Sequence, residues 1–224
     1  MDISVIIPAY NEEGRIGKVL SSLIDLECIN EIIVVNDGSD DGTSEEAKKY
    51  PVKVIDIAQN IGKAGAMKKG LIGSKGEWIL FLDADLMGLS REHIQAMIDC
   101  AKKQDADMVI GLFTKGNLIT DISHKIAPFL SGQRLIKRAI IENIDFDETI
   151  AYGIEIYLTN YFRKKGYYVK KVFMPNLYHI PKEIKRGFIK GKKEKLKMYC
   201  DIIFTVLQLY LIPKWLKKLY KCNI

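Results

Sequence analysis

Residues 78–85 read Trp-Ile-Leu-Phe-Leu-Asp-Ala-Asp, and this stretch decides the fold. Five apolar residues in succession are typical of a strand buried inside a parallel sheet. The polarity changes at Asp83, where the predicted strand ends. Because ligands of open parallel sheets bind beyond the carboxyl ends of the strands, we expect Asp83 and Asp85 to face a binding crevice.

Runs of the same apolar, β-branched kind recur on both sides of this strand. The predicted strands cover residues 3–7, 31–35, 52–57, 78–82 and 108–112. Stretches of helical character separate them, at residues 17–26, 43–50, 64–74 and 91–103. Since strands and helices alternate, the sequence predicts an α/β fold with a mostly parallel sheet flanked by helices.

The alternation weakens after about residue 113. In the second half we predict a helix at 117–128, a turn at 132–134, another helix at 153–165 and a strand at 168–173. The fold class therefore rests on the first half of the chain.

The composition favours one compact domain with an appendage. Of the 224 residues, 48% are hydrophobic, which is enough to build a sizeable core.

The four cysteines lack the short spacing of a zinc knuckle or a redox pair, so we expect reduced thiols in a cytoplasmic protein. They are Cys28, Cys100, Cys200 and Cys222. The first residues enter a predicted strand directly, and no export signal is expected.

Basic residues are concentrated at the end of the chain. Residues 182–224 contain twelve Lys/Arg and three Asp/Glu, whereas residues 1–181 contain twenty-two and twenty-five. We therefore predict a main domain at 1–181 and a basic, apolar helical tail at 182–224. The mildly acidic main domain and the lack of an aromatic RNA-binding signature argue against a nucleic-acid partner.

The tail has two open interpretations. Residues 198–213 contain one charged residue, Asp201, and are too few for a comfortable membrane span. A basic amphipathic helix with Trp215 fits a helix lying on an anionic membrane, which predicts a peripheral position on the inner face of the cell membrane. The other interpretation is a helix that packs on the main domain or forms a homodimer.

Three further predicted strands also end in polar loops. These loops hold residues 8–12, 36–40 and 60–63, and all should face the same crevice. Two carboxylates spaced as in Asp83 and Asp85 can bind a Mg²⁺ or Mn²⁺ ion that also ligates phosphates. An isolated Asp-x-Asp more often caps a helix, but the neighbouring polar loops favour the metal.

Two of these loops offer contacts to a nucleotide. Residues 37–43 read Asp-Gly-Ser-Asp-Asp-Gly-Thr, which combines a tight turn with acceptor oxygens suited to the N–H groups of a nucleobase, although a plain turn with a helix cap gives the same string. Lys63 is a candidate contact to a diphosphate, with Gly62 allowing close backbone approach. A solvated lysine is the alternative.

Three motifs in this order resemble the donor-binding half of family 2 glycosyltransferases. They are Ile-Pro-Ala-Tyr-Asn-Glu at 7–12, Val-Asn-Asp-Gly-Ser-Asp-Asp-Gly-Thr at 35–43 and Leu-Asp-Ala-Asp at 82–85. The resemblance covers about residues 3–113. It implies the GT-A fold, a Rossmann-like architecture of nucleotide-diphospho-sugar transferases, and a nucleoside diphosphate sugar as donor.

The resemblance also implies roles for individual residues. Asp37 would contact the base, Glu12 and the neighbouring backbone would hold the nucleoside, and Asp85 would be the chief ligand of Mg²⁺ or Mn²⁺. The predicted nucleotide-sugar site consists of Pro8, Ala9, Tyr10, Glu12, Asp37, Gly62, Lys63, Asp83 and Ala84.

The second half resembles a narrower group, the glucosyl-3-phosphoglycerate and mannosylglycerate synthases, which retain anomeric configuration. The matching strings are Leu-Ser-Gly-Gln-Arg at 130–134, Tyr-Gly-Ile-Glu-Ile at 152–156 and Asn-Leu-Tyr-His at 176–179. A late histidine completes the metal site of that group, so His179 is the implied further ligand beside Asp85, with Asp83 as an additional candidate. The chain is considerably shorter than those synthases, and residues 116–121 identify no phosphoglycerate pocket.

Glu155 is the remaining candidate for chemistry. It lies on an otherwise apolar predicted helix, where an unpaired carboxylate is costly, so it should meet a basic residue, the sugar or the acceptor. We predict Asp85 and Glu155 as catalytic residues, and we assign Gly132, Gln133 and Arg134 to the acceptor region. The two other histidines are predicted on the surface, and they are His93 and His124.

These observations predict a metal-dependent hexosyltransferase whose acceptor, a small acid or a polyprenyl phosphate, is not identified. The second resemblance favours retention, whereas an inverting enzyme would use Asp147, Glu148 or Glu155 as base. A nucleotidyltransferase is one alternative, but it predicts a glycine-rich, basic loop where residues 8–12 stand. An inactive membrane-associated scaffold is another, and it predicts loss of the Asp-Ala-Asp motif.

Overall fold

The computed structural model of the protein describes residues 1–114, 131–146 and 153–179. Within these ranges the chain forms nine strands: β1 Ile3–Ala9, β2 Glu31–Asp37, β3 Lys53–Ile57, β4 Trp78–Phe81, β5 Leu86–Met87, β6 Met108–Thr114, β7 Arg134–Lys137, β8 Val169–Pro175 and β9 Tyr178–His179. The same ranges contain six helices: α1 Ile16–Ser21, α2 Thr43–Ala47, α3 Gly62–Gly73, α4 Arg91–Lys103, α5 Arg138–Ile141 and α6 Ile154–Lys165.

The central sheet has seven strands in the order β3-β2-β1-β4-β7-β6-β8. All neighbours are parallel except at β7, which runs antiparallel to both β4 and β6. The predicted α/β fold with a mostly parallel sheet is therefore confirmed. Two short strands, β5 and β9, form a separate antiparallel pair.

The two faces of the sheet carry two hydrophobic cores. Alternate residues of β1 point to opposite faces, so that Val5 packs in one core and Ile6 in the other. The first core also contains α1 and α4, through residues such as Leu20, and the second contains α3 and α6, through residues such as Leu158. Full burial of an aliphatic side chain like Leu20 contributes about 2 kcal/mol to folding.

Several elements differ from the sequence predictions. The predicted turn at 132–134 leads directly into β7, whose first residue is Arg134, and α1 ends earlier than predicted, at Ser21. His93 was predicted on the surface, which is wrong: only 6% of the residue is exposed, because both ring nitrogens are used in contacts inside the fold.

Some predictions concern residues outside the described ranges. These are the helix at 117–128, the surface position of His124, the bases Asp147 and Glu148, the domain boundary at 181 and 182, and the basic tail with its membrane or dimer contact. In the part of the chain that the structure describes, none of the helices combines the length and the apolar character needed to span a bilayer.

Candidate functional site

An acidic cluster lies directly beyond the carboxyl end of β4. Asp83, Asp85 and His179 each offer one ligand atom, and these atoms all lie within 4.8 Å of one another. Nδ1 of His179 is 2.8 Å from Oδ1 of Asp85, and its Nε2 is 3.5 Å from Oδ2 of Asp83. Two carboxylates and an imidazole suit Mn²⁺, and the carboxylate oxygens suit Mg²⁺. The donor set therefore fits a divalent cation.

The small β5–β9 sheet brings the histidine to the two aspartates. β5 follows Asp85 without an intervening loop, and in the antiparallel pairing Leu86 lies opposite His179. The ring of His179 also packs against Phe113 at the end of β6, with 4.9 Å between the ring centroids. Two residues that are 94 positions apart in the chain thereby become neighbours.

Lys63 joins the acidic cluster to Glu155. Its Nζ donates to Oδ1 of Asp83 at 2.5 Å and to Oε1 of Glu155 at 2.6 Å. Burial alone would lower the pKa of Lys63, but the charges of Asp83 and Glu155 outweigh this effect and raise the pKa above its ordinary value. Glu155 therefore has the basic partner that its apolar helix required. Lys63 pairs with both of these carboxylates, and its predicted contact to a diphosphate stays a prediction.

Asp83 is held on its other side by Gln133. The Nε2 group of Gln133 donates to Oδ2 of Asp83 at 2.7 Å, and Gln133 is itself fully buried. Burial would raise the pKa of Asp83, but the charges of Lys63 and His179 outweigh it, and the pKa of this carboxyl lies below its ordinary value. Asp83 is therefore a carboxylate whose position is fixed by two donors.

The predicted acceptor residues lie in the interior of the protein. Gly132, Gln133 and Arg134 are all buried, and no part of the Arg134 side chain reaches solvent. Its guanidinium donates to the Ser131 carbonyl at 2.9 Å and to the Thr159 hydroxyl at 3.0 Å. Burial lowers the pKa of Arg134 to about 10, although Glu155 and Asp83 act in the opposite direction. Gln133 and Arg134 therefore act on the carboxylates of the site, and the assignment of residues 132–134 to the acceptor region stays a prediction.

Gly132 is required by the close approach of Asp83. A Cβ atom at position 132 would lie 2.5 Å from both carboxylate oxygens of Asp83. We predict that Gly132→Ala displaces this carboxylate from Lys63 or Gln133 and lowers the free energy of unfolding by about 1–3 kcal/mol, as overpacking typically does. Urea unfolding measures the change.

Gly65→Ala on α3 is a matched control for this substitution. Its Cβ would meet the side chain of Ile61, which is 48% exposed and free to move aside. We expect the control to be neutral or slightly stabilising, because alanine favours a helix by up to about 1 kcal/mol over glycine. Equal stability of Gly132→Ala and the wild type would mean that Asp83 is not held as described.

The loops after β1 and β2 are tied to each other beside the cluster. The backbone N–H of Asn11 donates to the Ser39 hydroxyl at 3.0 Å, and the N–H of Asp40 donates to the Asn11 side chain at 2.9 Å. The N–H of Glu12 donates to the hydroxyl of Thr43 at 2.8 Å, and the carboxylate of Glu12 pairs with Arg15. The predicted nucleoside residues therefore lie in one cross-linked pair of loops.

Asp37 connects this pair of loops to α3. Its two carboxylate oxygens accept from the backbone N–H groups of Ile61 at 2.8 Å and Gly62 at 2.9 Å, where the helix begins. Gly38 has a φ of 69°, and a Cβ there would lie 2.7 Å from the backbone nitrogen of Asn60, so glycine is needed for the approach. Asp37 thus binds the backbone at the start of α3, and its predicted contact to a nucleobase stays a prediction.

The remaining predicted residues lie along the same edge. Pro8 and Ala9 are the last residues of β1, with Ala9 buried and Pro8 half-buried, and Tyr10 follows them at intermediate exposure. Ala84 is buried between the two aspartates of the motif. The support that Gln133 and Lys63 give to Asp83 was not predicted, since no local signal connects residues that are 50 and 20 positions apart.

Comparisons with known proteins agree with this architecture. The family model described as glycosyl transferase family 2 matches residues 4–167. The chain is 39% identical over 99 residues to dolichyl-phosphate beta-glucosyltransferase of Mus musculus, covering 37% of this chain and 31% of that protein. It is 28% identical over 174 residues to the Dictyostelium discoideum protein of the same name, covering 70% of this chain and 48% of that protein. The chain thus spans less than half the length of these relatives.

A solved structure shares the fold. Glucosyl-3-phosphoglycerate synthase from Mycobacterium tuberculosis, in complex with Mn²⁺, uridine diphosphate and phosphoglyceric acid, superposes with a TM-score of 0.78 at 23% identity. The likeness covers 95% of this chain and 80% of that one.

Proposed function

The chain belongs to glycosyl transferase family 2 and has the predicted GT-A fold, and from this premise we propose that it transfers a hexose from a nucleoside diphosphate sugar to an acceptor. The observation that carries the proposal is the cluster of Asp83, Asp85 and His179 beside the cross-linked loops after β1 and β2. A nucleoside held by the loops would direct its diphosphate towards the cluster.

We propose that Asp85 and His179 hold a Mg²⁺ or Mn²⁺ ion, with Asp83 as a further ligand. When bound, the ion would neutralise the charge that develops on the departing diphosphate. The contacts of the site support this assignment. Lys63 pairs with Asp83 and Glu155, and the charge of Arg134 acts on the same two carboxylates, whereas Asp85 lies beside the imidazole of His179.

Glu155 is the second proposed catalytic residue. It lies in the first turn of α6, and 11% of its side chain is exposed, so that its carboxylate borders the cluster without being open to bulk water. Lys63 fixes the position of this carboxylate. We propose that Glu155 accepts hydrogen bonds from the hydroxyl groups of the transferred sugar and stabilises positive charge at the anomeric carbon.

We propose an acceptor that carries an acidic group. The relatives are named for dolichyl phosphate, and the structural neighbour is solved with phosphoglyceric acid, so the shared chemistry is a phosphate-bearing acceptor. The second-half resemblance supports retention, whereas the two relatives are named as beta-glucosyltransferases, which favours a β-linked product. With an α-configured donor, a retaining enzyme gives an α-linked product and an inverting enzyme gives a β-linked one, which proton NMR of the product distinguishes.

The donor proposal is tested by a thermal-shift panel. UDP-, GDP- and ADP-sugars are each added with and without Mn²⁺, because a ligand that binds the folded state raises the melting temperature. We expect a shift with the sugars of one base only, and a larger shift when Mn²⁺ is present. If no donor shifts the folded protein, the proposed donor site is wrong.

The acceptor is then tested with the donor so identified. Polyprenyl phosphate in detergent and 3-phosphoglycerate are supplied separately, and the glycosylated product is followed by mass spectrometry. Release of the nucleoside diphosphate together with a glycosylated acceptor supports a transferase. Release of pyrophosphate from a nucleoside triphosphate and a sugar phosphate would instead identify a nucleotidyltransferase.

A further inference from the structure

Three contacts join the segment that follows Asp85 to the segment that precedes His179. From these contacts we infer that His93 is a positioning residue, which sets the placement of His179 relative to Asp85 through the backbone. The inference rests on the proposed metal site. The hydrogen bonds of His93 go to Ser90 and to the backbone of Pro175, and its role is therefore separate from that of the ligands.

His93 is the first contact. It lies in the first turn of α4, where Ser90 and His93 form a reciprocal capping box. Nδ1 of His93 accepts from the backbone N–H of Ser90 at 3.2 Å, and Nε2 is 2.9 Å from the carbonyl oxygen of Pro175. A backbone N–H can only donate and a carbonyl can only accept. The neutral ring with its proton on Nε2 satisfies both partners, so His93 donates to Pro175.

The bond to Pro175 reaches the end of β8. Pro175 is the last residue of that strand, and His179 lies four positions later in β9. Between them, Leu177 is fully buried in the core that also contains α4. The turn that carries His179 is therefore fastened at Pro175 by a hydrogen bond and at Leu177 by packing.

Gly88 is the second contact. It has a φ of 79°, and a Cβ atom there would lie 2.4 Å from the carbonyl oxygen of Asn176. Asn176 has a φ of 63°, so that the two segments approach each other through two left-handed residues. The third contact is the β5–β9 pairing, in which Met87 lies opposite Tyr178.

These contacts are needed because β9 is short. A metal site requires its ligands to be held within about 0.5 Å of the productive geometry. A pairing of two residues per strand leaves the placement of His179 weakly determined, and 30% of its side chain is exposed. The hydrogen bond from His93 adds a fixed point on the chain before the histidine. Its loss should loosen His179 while leaving Asp85 in place.

The test compares His93→Asn with His93→Gln. Asparagine retains an acceptor near Ser90 but is too short to reach Pro175, whereas glutamine is long enough to donate to Pro175 and is a natural capping-box residue at this position. Mn²⁺ is titrated into each protein in the presence of UDP, GDP or ADP, whichever matches the sugar nucleotide that shifts the melting temperature, and free Mn²⁺ is followed by electron paramagnetic resonance. We expect the dissociation constant of Mn²⁺ to rise about tenfold in His93→Asn, as with other residues that orient metal ligands, and to stay within about twofold of the wild type in His93→Gln.

Ser90→Ala is the matched control for helix stability. It removes the capping hydroxyl, which costs about 1 kcal/mol of stability, but it leaves the bond from His93 to Pro175. We expect this variant to melt at a lower temperature with unchanged Mn²⁺ affinity. If His93→Asn does not fold, His93→Phe fills a similar volume without hydrogen-bonding groups and replaces it in the titration.

The outcomes separate this inference from the proposed function. Wild-type Mn²⁺ affinity in a folded His93→Asn or His93→Phe protein would overturn the positioning role and leave His93 as a helix cap only. Failure of the wild type to bind Mn²⁺ with each of UDP, GDP and ADP would overturn the metal site, and with it the positioning role of His93. If Ser90→Ala weakens Mn²⁺ binding as much as His93→Asn does, the loss of affinity results from destabilising α4. This outcome would also overturn the inference.

Discussion

Asp85→Ala is expected to abolish the Mn²⁺-dependent thermal shift by the nucleotide sugar and to slow transfer on the order of 10³-fold. A bound metal ion contributes several kcal/mol to stabilising the charge of the transition state, and each 1.4 kcal/mol changes the rate about tenfold. Asp85 provides the carboxylate that lies 2.8 Å from His179, so its removal would leave the proposed ion without its chief proposed ligand. The thermal shift and a product assay at saturating donor measure the two effects.

Asp25→Ala is the control for this substitution. Asp25 is an exposed aspartate in the loop that leads to β2, and it has no place in the cluster. We expect it to keep both the Mn²⁺-dependent shift and the activity. Full activity of Asp85→Ala at low Mn²⁺ would show that the Asp-Ala-Asp motif does not hold the metal.

Lys63→Met is expected to lower the free energy of unfolding by about 3 kcal/mol and to remove activity. Removing one partner of a buried ion pair leaves an uncompensated charge, which typically costs 3–5 kcal/mol. Here two carboxylates, Asp83 and Glu155, lose their shared cation, and both are mostly buried, with 16% and 11% of the side chain exposed. Urea unfolding of the protein without ligands measures the stability.

Two further variants identify the cause of this effect. Lys69→Met changes an exposed lysine on the same helix and should have little effect on stability. The double variant Lys63→Met with Glu155→Gln removes one of the stranded charges, so we expect it to be more stable than Lys63→Met alone. An unchanged unfolding curve for Lys63→Met would mean that the two carboxylates do not depend on this lysine.

The central sheet was predictable because its strands carry a local signal. The predicted strands at 3–7, 31–35 and 108–112 lie within β1, β2 and β6, since parallel strands covered on both faces are continuous aliphatic runs. The helix predicted at 91–103 coincides with α4, which Ser90 caps. The shared position of the polar residues after β1, β2 and β4 was also predictable, because the carboxyl ends of parallel strands lie at one edge of the sheet.

β7 was not predicted, because the residues that stabilise it lie far away in the sequence. It is four residues long and has a cation at each end, Arg134 and Lys137, a pattern that is more typical of a turn. Arg134 is tolerated inside the protein only because Ser131, Thr159 and the charges of distant carboxylates surround it. Such compensation depends on tertiary contacts that are formed by residues far away in the chain.

The candidate site was predicted as a set of residues but not as a network. Asp83, Asp85, His179 and Glu155 were each singled out, and the structure brings them together around Lys63 and Gln133. The burial of His93 was missed because histidine in place of the usual Glu or Gln obscures the capping box. The residue types indicated the chemistry of the site, whereas its hydrogen bonds could be identified only from the folded structure.

The pairing of β5 with β9 also sets an order of events during synthesis on the ribosome. β1 to β4 and the loops after β1 and β2 lie within the first 81 residues, so they emerge together and can pair early. Asp85 leaves the ribosome 94 residues before His179, and Lys63 leaves 92 residues before Glu155. We expect the nascent chain to form the loops after β1 and β2 before the cluster of Asp83, Asp85 and His179, so that a chain arrested before residue 179 would have the proposed nucleoside loops without the complete proposed metal site.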